Sequence, residues 1–268
     1  MNLAKCPMIN MSDLVFFNCM STGSGGAINI YTYFQGGQVF MSRICGYICF
    51  CNQNGHFLQS LTSCIDMNYI SLTKCSNTTT KNYPIDAIYG KQNFLNSNSS
   101  YNKAEYGASI DINCPSFCNI NFSTFSYNEA SHSTNVHLFG NGSKGKVLYT
   151  NVIGCNSPKT AGVVTISGGY TISYSVFMDN INVLFCQQID STSISLCYID
   201  HPTQYSRTSG QLYISSAYTK PTQVPLNLTH FSTFLCQNII SLPTKVPSMT
   251  SRPKHHLPFF ILFLVLVC

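Results

Sequence analysis

A short apolar phrase recurs along the chain at a near-constant interval. FLNSNSSYN ends at Asn102, INFSTFSYN at Asn128, LYTNVIGCN at Asn156 and ISYSVFMDN at Asn180. Cys19, Cys45 and Cys75 stand at a comparable place in VFFNC, SRIC and LTKC, with similar steps between them. SISLCYIDH repeats the alternation with Ile194, Leu196 and Ile199, and HFSTFLCQN at 230–238 supplies a late copy. After each Asn or Cys a small-residue step leads into a second alternating stretch: GGAINIY at 25–31, YGASIDI at 106–112, AGVVTIS at 161–167 and SGQLYIS at 209–215. Two or three short strands per unit of roughly 22 to 30 residues, with no helical stretch between them, is the period of a solenoid. The leucine-spaced consensus of leucine-rich repeats is absent, so the pattern predicts an all-β coil, a parallel β-helix of about eight or nine coils over residues 12–240.

Stacking identical units explains an unusual composition. Asp, Glu, Lys and Arg make up 9% of the chain, against roughly 25% in an ordinary domain. Neighbouring coils lie about 4.8 Å apart, so Lys or Glu at a repeated position would repel its own copies. Asn in the same place forms an amide ladder. Alternation at period two predicts Phe125, Ile153 and Phe177 in register along the core, with Phe122 also core-directed and Asn128, Asn156 and Asn180 at the turn. All nine acids lie at or before Asp200 together with nine of the fourteen bases, so the first 200 residues sum to 9 − 9 = 0. That body lacks the basic stripe that nucleic acid requires.

Fourteen cysteines suggest an oxidising compartment or metal sites. The densest group is Cys45, Cys49 and Cys51 with His56, and the spacing C-x3-C-x-C-x4-H matches no common zinc finger. Together with Cys19, Cys75, Cys114 and Cys118 these read as small core residues or bridges between coils, and no metal or cofactor is expected. Six Asn-x-Ser/Thr sequons are compatible with secretion. The acids are singletons, none closer than Glu105 and Asp111, although coil stacking could bring Asp86 or Asp111 near another acid.

Beyond the rod, SLPTKVPSMTSRPKHHLP at 241–258 reads as an extended stalk. FFILFLVLVC at 259–268 is wholly apolar, but ten residues of helix span about 15 Å, half of a roughly 30 Å hydrocarbon core. It reads as an incomplete transmembrane helix, or as a lipid-anchor signal. MNLAKCPMINMSDLVFF lacks the pattern of a signal peptide. The chain opens within its first coil with no recognisable polar cap, which points to a fragment. The basic flank of Arg252, Lys254, His255 and His256 suits a cytosolic rod with a tail anchor as the alternative orientation.

The units carry FxxN at Phe125 to Asn128 and Phe177 to Asn180, IxxN at Ile153 to Asn156 and VxxN at Val15 to Asn18. GGAI occurs intact at Gly25, Gly26, Ala27 and Ile28, and in weaker form as YGAS and TAGVV. This pairing resembles the repeats of the chlamydial polymorphic outer-membrane proteins and of similar surface proteins of parasitic protozoa. The resemblance covers roughly residues 12 to 240 and implies a right-handed parallel β-helix displayed on a cell surface and linked to adhesion. The expectation is a non-catalytic, membrane-anchored surface protein that binds a protein or glycan on another cell or in matrix. The alternative is a secreted polysaccharide lyase or hydrolase on the same scaffold.

Overall fold

The computed structural model describes residues 2–4, 8–32, 36–76, 83–114, 116–158, 160–201, 205–207, 210–224 and 264–267. The chain is all-β and forms a parallel β-solenoid of about seven turns, fewer than the eight or nine suggested by the repeats. The late units are less complete outside the second stack. Tyr198–Ile199 is only two residues long, and beyond Gln211–Ser215 the chain makes a single bridge from Tyr218 to Tyr198 before a 3-10 turn at Pro221–Gln223. The late copy at 230–238, the stalk at 241–258 and residues 259–263 and 268 lie outside the described residues.

Each coil contributes to three parallel stacks. The first contains Ile28–Tyr31, Leu58–Leu61, Ile85–Ile88 and Gly107–Asn113, followed by 134–139 and 164–167. The second runs from 8–12 through 38–42, 64–68, Lys91–Leu95, Phe117–Asn121, 144–148, 169–173 and Ser191–Ser195 to Gln211–Ser215. The third contains 14–17, 44–47, 70–73, Asn98–Ser100, Thr124–Ser126, Asn151–Ile153 and Val176–Met178.

A single left-handed residue turns the chain from the second stack into the third: Asp13, Arg43, Tyr69, Asn96, Phe122, Tyr149, Tyr174 and Leu196, with φ from 47° to 57°. A second corner follows the third stack at Asn18, Ile48, Lys74, Tyr101, Tyr127, Gly154 and Asp179. Left-handed backbone costs a non-glycine residue about 1–2 kcal/mol, a cost offset by the strand pairing that each turn permits. The interval between first corners shortens along the rod. The step from Leu196 to Ser216 is two-thirds as long as the step from Asp13 to Arg43, and the step from Tyr174 to Leu196 is intermediate.

The corners leave buried amides without a strand partner, and side chains supply one. After the first corner the Ser97 hydroxyl accepts from Ile70 N (2.9 Å) and donates to Leu95 O (2.6 Å); Ser175 does the same with Thr150 N and Ser173 O. After the second corner Asn128 Oδ1 accepts from Asn102 N (2.9 Å) and Asn102 Nδ2 (3.1 Å), while its Nδ2 donates to Ser99 O and Ser109 Oγ. Asn180 Oδ1 accepts from Cys155 N at 3.0 Å.

Register differs from the sequence expectation at four places. Phe16, not Val15, stands in the column of Phe125, and Cys19 takes the inward place expected for Asn18, which is the corner residue. Val152, not Ile153, stands level with Phe125 and Phe177, so Ile153 is half-buried on the outer side. Cys155 takes the inward place expected for Asn156, which lies one residue on and bridges Glu129 and Ile181. Phe122 is not core-directed; it occupies a corner, is exposed and stacks on Tyr149, while Ser123 turns inward. In each case the corner consumes one residue and shifts the alternation by one.

Glycines appear where a coil leaves no room. A Cβ on Gly25, at φ +67°, would lie 2.2 Å from Ile28 O, and one on Gly26 would lie 2.1 Å from His56 O. GGAI is therefore the tight lead-in to the first stack, with Ala27 and Ile28 buried and hydrogen-bonded to Phe57 O on the next coil. Gly145 makes room for the buried ring of Tyr170, which a Cβ would meet at 2.0 Å.

Residues Leu264–Val267 form a strand paired in parallel with 14–17, at the opposite end of the rod from Val224. Among the described residues no helix is long and apolar enough to cross a membrane.

The inner amide ladder carries a testable consequence. Asn128→Ala removes two acceptor and two donor contacts in the buried interior, so it should lower unfolding free energy by about 2–4 kcal/mol. Asn156→Ala, which removes one long contact from Asn182 Nδ2 (3.2 Å), should cost under about 1 kcal/mol. Denaturant titration of both variants checks the ranking.

Candidate functional site

In a stack of like over like, charges in register on neighbouring coils are best opposite in sign. Arg43 Nε lies 2.5 Å from Asp13 Oδ1 at adjacent first corners, and Lys103 Nζ lies 2.8 Å from Glu129 Oε2. The departure is on the first stack, where Asp86 pairs in register with Asp111 and Asp111 with His137. Alternation puts Ile85 and Ala87 into the core and sends Asp86 outward, yet its side chain is only 3% exposed.

The cover comes from Tyr83. Its ring stacks on that of His137 at 6.3 Å and 11°. It lies flat over Gly107, where a Cβ would sit 1.8 Å from a ring carbon. Beneath it, Gln59 Nε2 donates to Asp86 Oδ2 at 3.2 Å, and His137 Nδ1 lies 2.9 Å from Asp111 Oδ1. Burial, then the neighbouring Asp111, pushes the Asp86 carboxyl up to about 7. Burial, followed by Asp111 and Asp86, raises the Tyr83 phenol as well.

Chemically the cluster holds an acid that titrates near pH 7, beside a second carboxyl hydrogen-bonded to an imidazole. A carboxyl with a raised pKa suits general acid work. Access is the missing element, because Asp86 is buried and the side chains of Asp111 and His137 are only 16% and 22% exposed. The coil-spaced positions 59, 86, 111 and 137 are the sequence signal that assembles it.

The cysteines divide by position. Cys19, Cys49 and Cys75 form a column of thiols after the second corner, the place held by Asn102 and Asn128 further along, and the Cys49 thiol meets both neighbours. Cys155 belongs to the same series, and burial pushes its thiol up to about 12. Cys45 lies on the third stack and is disulfide-bonded. Cys51 turns away from both, its amide donating to His56 Nδ1 at 3.2 Å. The Cys114 thiol lies 3.9 Å from the buried Tyr170 hydroxyl and contacts Cys118. Among the described residues no three His, Cys, Asp or Glu side chains converge as metal ligands.

Val15 is buried in the third stack and Asn18 is an exposed corner residue, with Cys19 inward beside it. The outer corners hold what the repeat motif did not reveal. Phe122, Tyr149 and Tyr174 stack at 4.9 and 5.0 Å along the first corner, and Tyr101 and Tyr127 stack at 5.2 Å along the second. Their sequence signal is an aromatic at coil spacing immediately before an inward Ser, Thr, Asn or Cys. No family model, curated protein or solved structure matches the chain.

The raised Asp86 carboxyl has a definite effect on stability. A folded-state pKa of about 7 against an ordinary 3.8 favours folding fully at low pH. That contribution is lost as pH rises from about 4 through 7. Asp86→Asn should therefore match the parent near pH 4 and exceed it at pH 8 by up to roughly 4 kcal/mol. Paired urea titrations at the two pH values check the sign.

Proposed function

We propose that the chain is the rod-like ectodomain of a membrane-anchored surface protein, non-catalytic, that adheres through its lateral faces to a protein or glycan on another cell or in matrix. The observation that carries this reading is the exposed ordering of side chains along the rod axis. The two aromatic columns, five rings at spacings of 4.9 to 5.2 Å, run along the corners on either side of the third stack. Such a surface offers many shallow contacts whose combined affinity grows with the number of coils engaged. The FxxN and GGA[ILV] resemblance supports the same reading. It also implies a right-handed coil, the hand taken by nearly all parallel β crossovers.

Anchoring is assigned to the apolar carboxyl-terminal segment. Residues 264–267 are paired with 14–17, so insertion into a bilayer requires that strand to leave the rod.

A second reading, a carbohydrate-active enzyme on the same scaffold, is favoured by the Asp86, Asp111 and His137 cluster. The burial of Asp86 weighs against it, since a general acid must reach its substrate.

Purified full chain applied to intact cells and to matrix-coated surfaces separates the two. Saturable binding, with no shortening of pectin, alginate or glycosaminoglycan, is the expected result. Sustained release of short products that is lost in Asp111→Asn would overturn it in favour of the enzyme.

A further inference from the structure

The second stack presents a different surface from the aromatic corners. At successive levels its outer side places Lys146 beside Thr171, Thr171 beside Ser193 and Ser193 beside Tyr213. In the neighbouring column Lys144 lies between Phe117 and Gly169. Gly169 has no side chain to fill its place, and the result is an open groove of about 350 Å³. Both lysines are exposed, and Tyr213 is 56% exposed.

The charge on this face is of one sign. From the level of Phe117 to that of Tyr213 the outward positions of the second stack carry no carboxylate; the nearest in sequence, Asp190, sits at the corner before Ser191. Neither Lys144 nor Lys146 has an ion-pair partner among the described residues. Two exposed ammonium groups on one strand repel each other only weakly in water, and together they give the face a local positive potential. The groove also runs along the rod axis and is open at its sides, across levels spaced about 4.8 Å apart.

We infer that this groove binds an acidic polysaccharide, with Lys144 and Lys146 on its carboxylate or sulfate groups, Thr171 and Ser193 on its hydroxyls, and Tyr213 against a sugar ring. The three kinds of side chain match the three kinds of group that such a polymer repeats along its length. A nucleic acid is a poorer fit. Its affinity depends on many neutralised phosphates, and the chain through Asp200 carries no net charge. The inference rests on the lateral-binding reading above and names the partner class for one face of the rod.

The test is binding of the full chain to immobilised heparin and polygalacturonate, with dextran as the neutral control and a single-stranded oligonucleotide as the competing polyanion. The expected result is binding to at least one acidic polysaccharide, weakened by salt and absent on dextran. Replacing both lysines (Lys144→Ala with Lys146→Ala) should weaken it at least tenfold and flatten its salt dependence. Tyr213→Ala should weaken it several-fold without changing that dependence, and the paired Lys→Arg variant should restore it. Lys74→Ala, which alters a lysine at the second corner, should leave binding unchanged. Circular dichroism and melting temperature verify that each variant is folded.

Equal binding by the double variant, an equal loss in Lys74→Ala, equal affinity for dextran, or tighter binding to the oligonucleotide overturns the inference. So does failure to bind either acidic polysaccharide. If the chain still binds cells in that case, the lateral-binding reading stands and only its ligand class falls; if it binds neither, both fall.

Discussion

Parallel strands held in register at about 4.8 Å are the constraint from which the rest of this structure follows. Each side chain must tolerate the residue at its own position in the coil above and the coil below. Apolar side chains satisfy this inside, where Phe94 stacks on Phe125 at 5.6 Å. Amides and hydroxyls satisfy it at the corners, where Asn102 meets Asn128 and Ser97 serves the amide of Ile70. Charges satisfy it when alternated, as in Asp13 with Arg43. The scarcity of ionisable residues is the cumulative result.

The corners make the coil possible and also hide its register. The period, the absence of helix and the ladder places of Asn128 and Asn180 are legible because Phe-x-x-Asn repeats. The left-handed residues are not, because Asp13, Arg43, Tyr69, Phe122 and Leu196 share no chemistry. Their conformation is imposed by the strands on either side, so no local propensity announces it. A reader who carries period-two alternation through such a corner arrives one residue out, which is how Ile153 and Asn156 take the places of Val152 and Cys155. The substitution of Cys for Asn at the inward place compounds the difficulty: the thiol fills the volume and keeps the contact to the carbonyl one coil back, as Cys155 Sγ does to Phe125 O at 3.6 Å, but it has no amide oxygen to accept from the neighbouring backbone.

The candidate sites show the same division. Asp86, Asp111 and His137 are recoverable from the sequence as soon as the coil length is known, because residues a period apart must touch. Their burial is not, since it depends on the ring of Tyr83, which reaches the cluster from outside its strand and lies over Gly107. Lys144 and Lys146 are visible as a pair, but the depth of the groove beside them depends on the missing side chain of Gly169, a position without special backbone demands. In both places a glycine on one coil decides what a neighbouring side chain can do.

The shortening of the coils, from the long step between Asp13 and Arg43 to the short one between Leu196 and Ser216, gives the rod a polarity beyond that of its strands. Its two ends have different outlines. A short coil set against a long one leaves part of the larger rim without hydrogen-bond partners. Repeating units of constant girth invite indefinite growth into fibres. A stack whose coils shorten offers unequal rims to such growth, and so favours association through its sides.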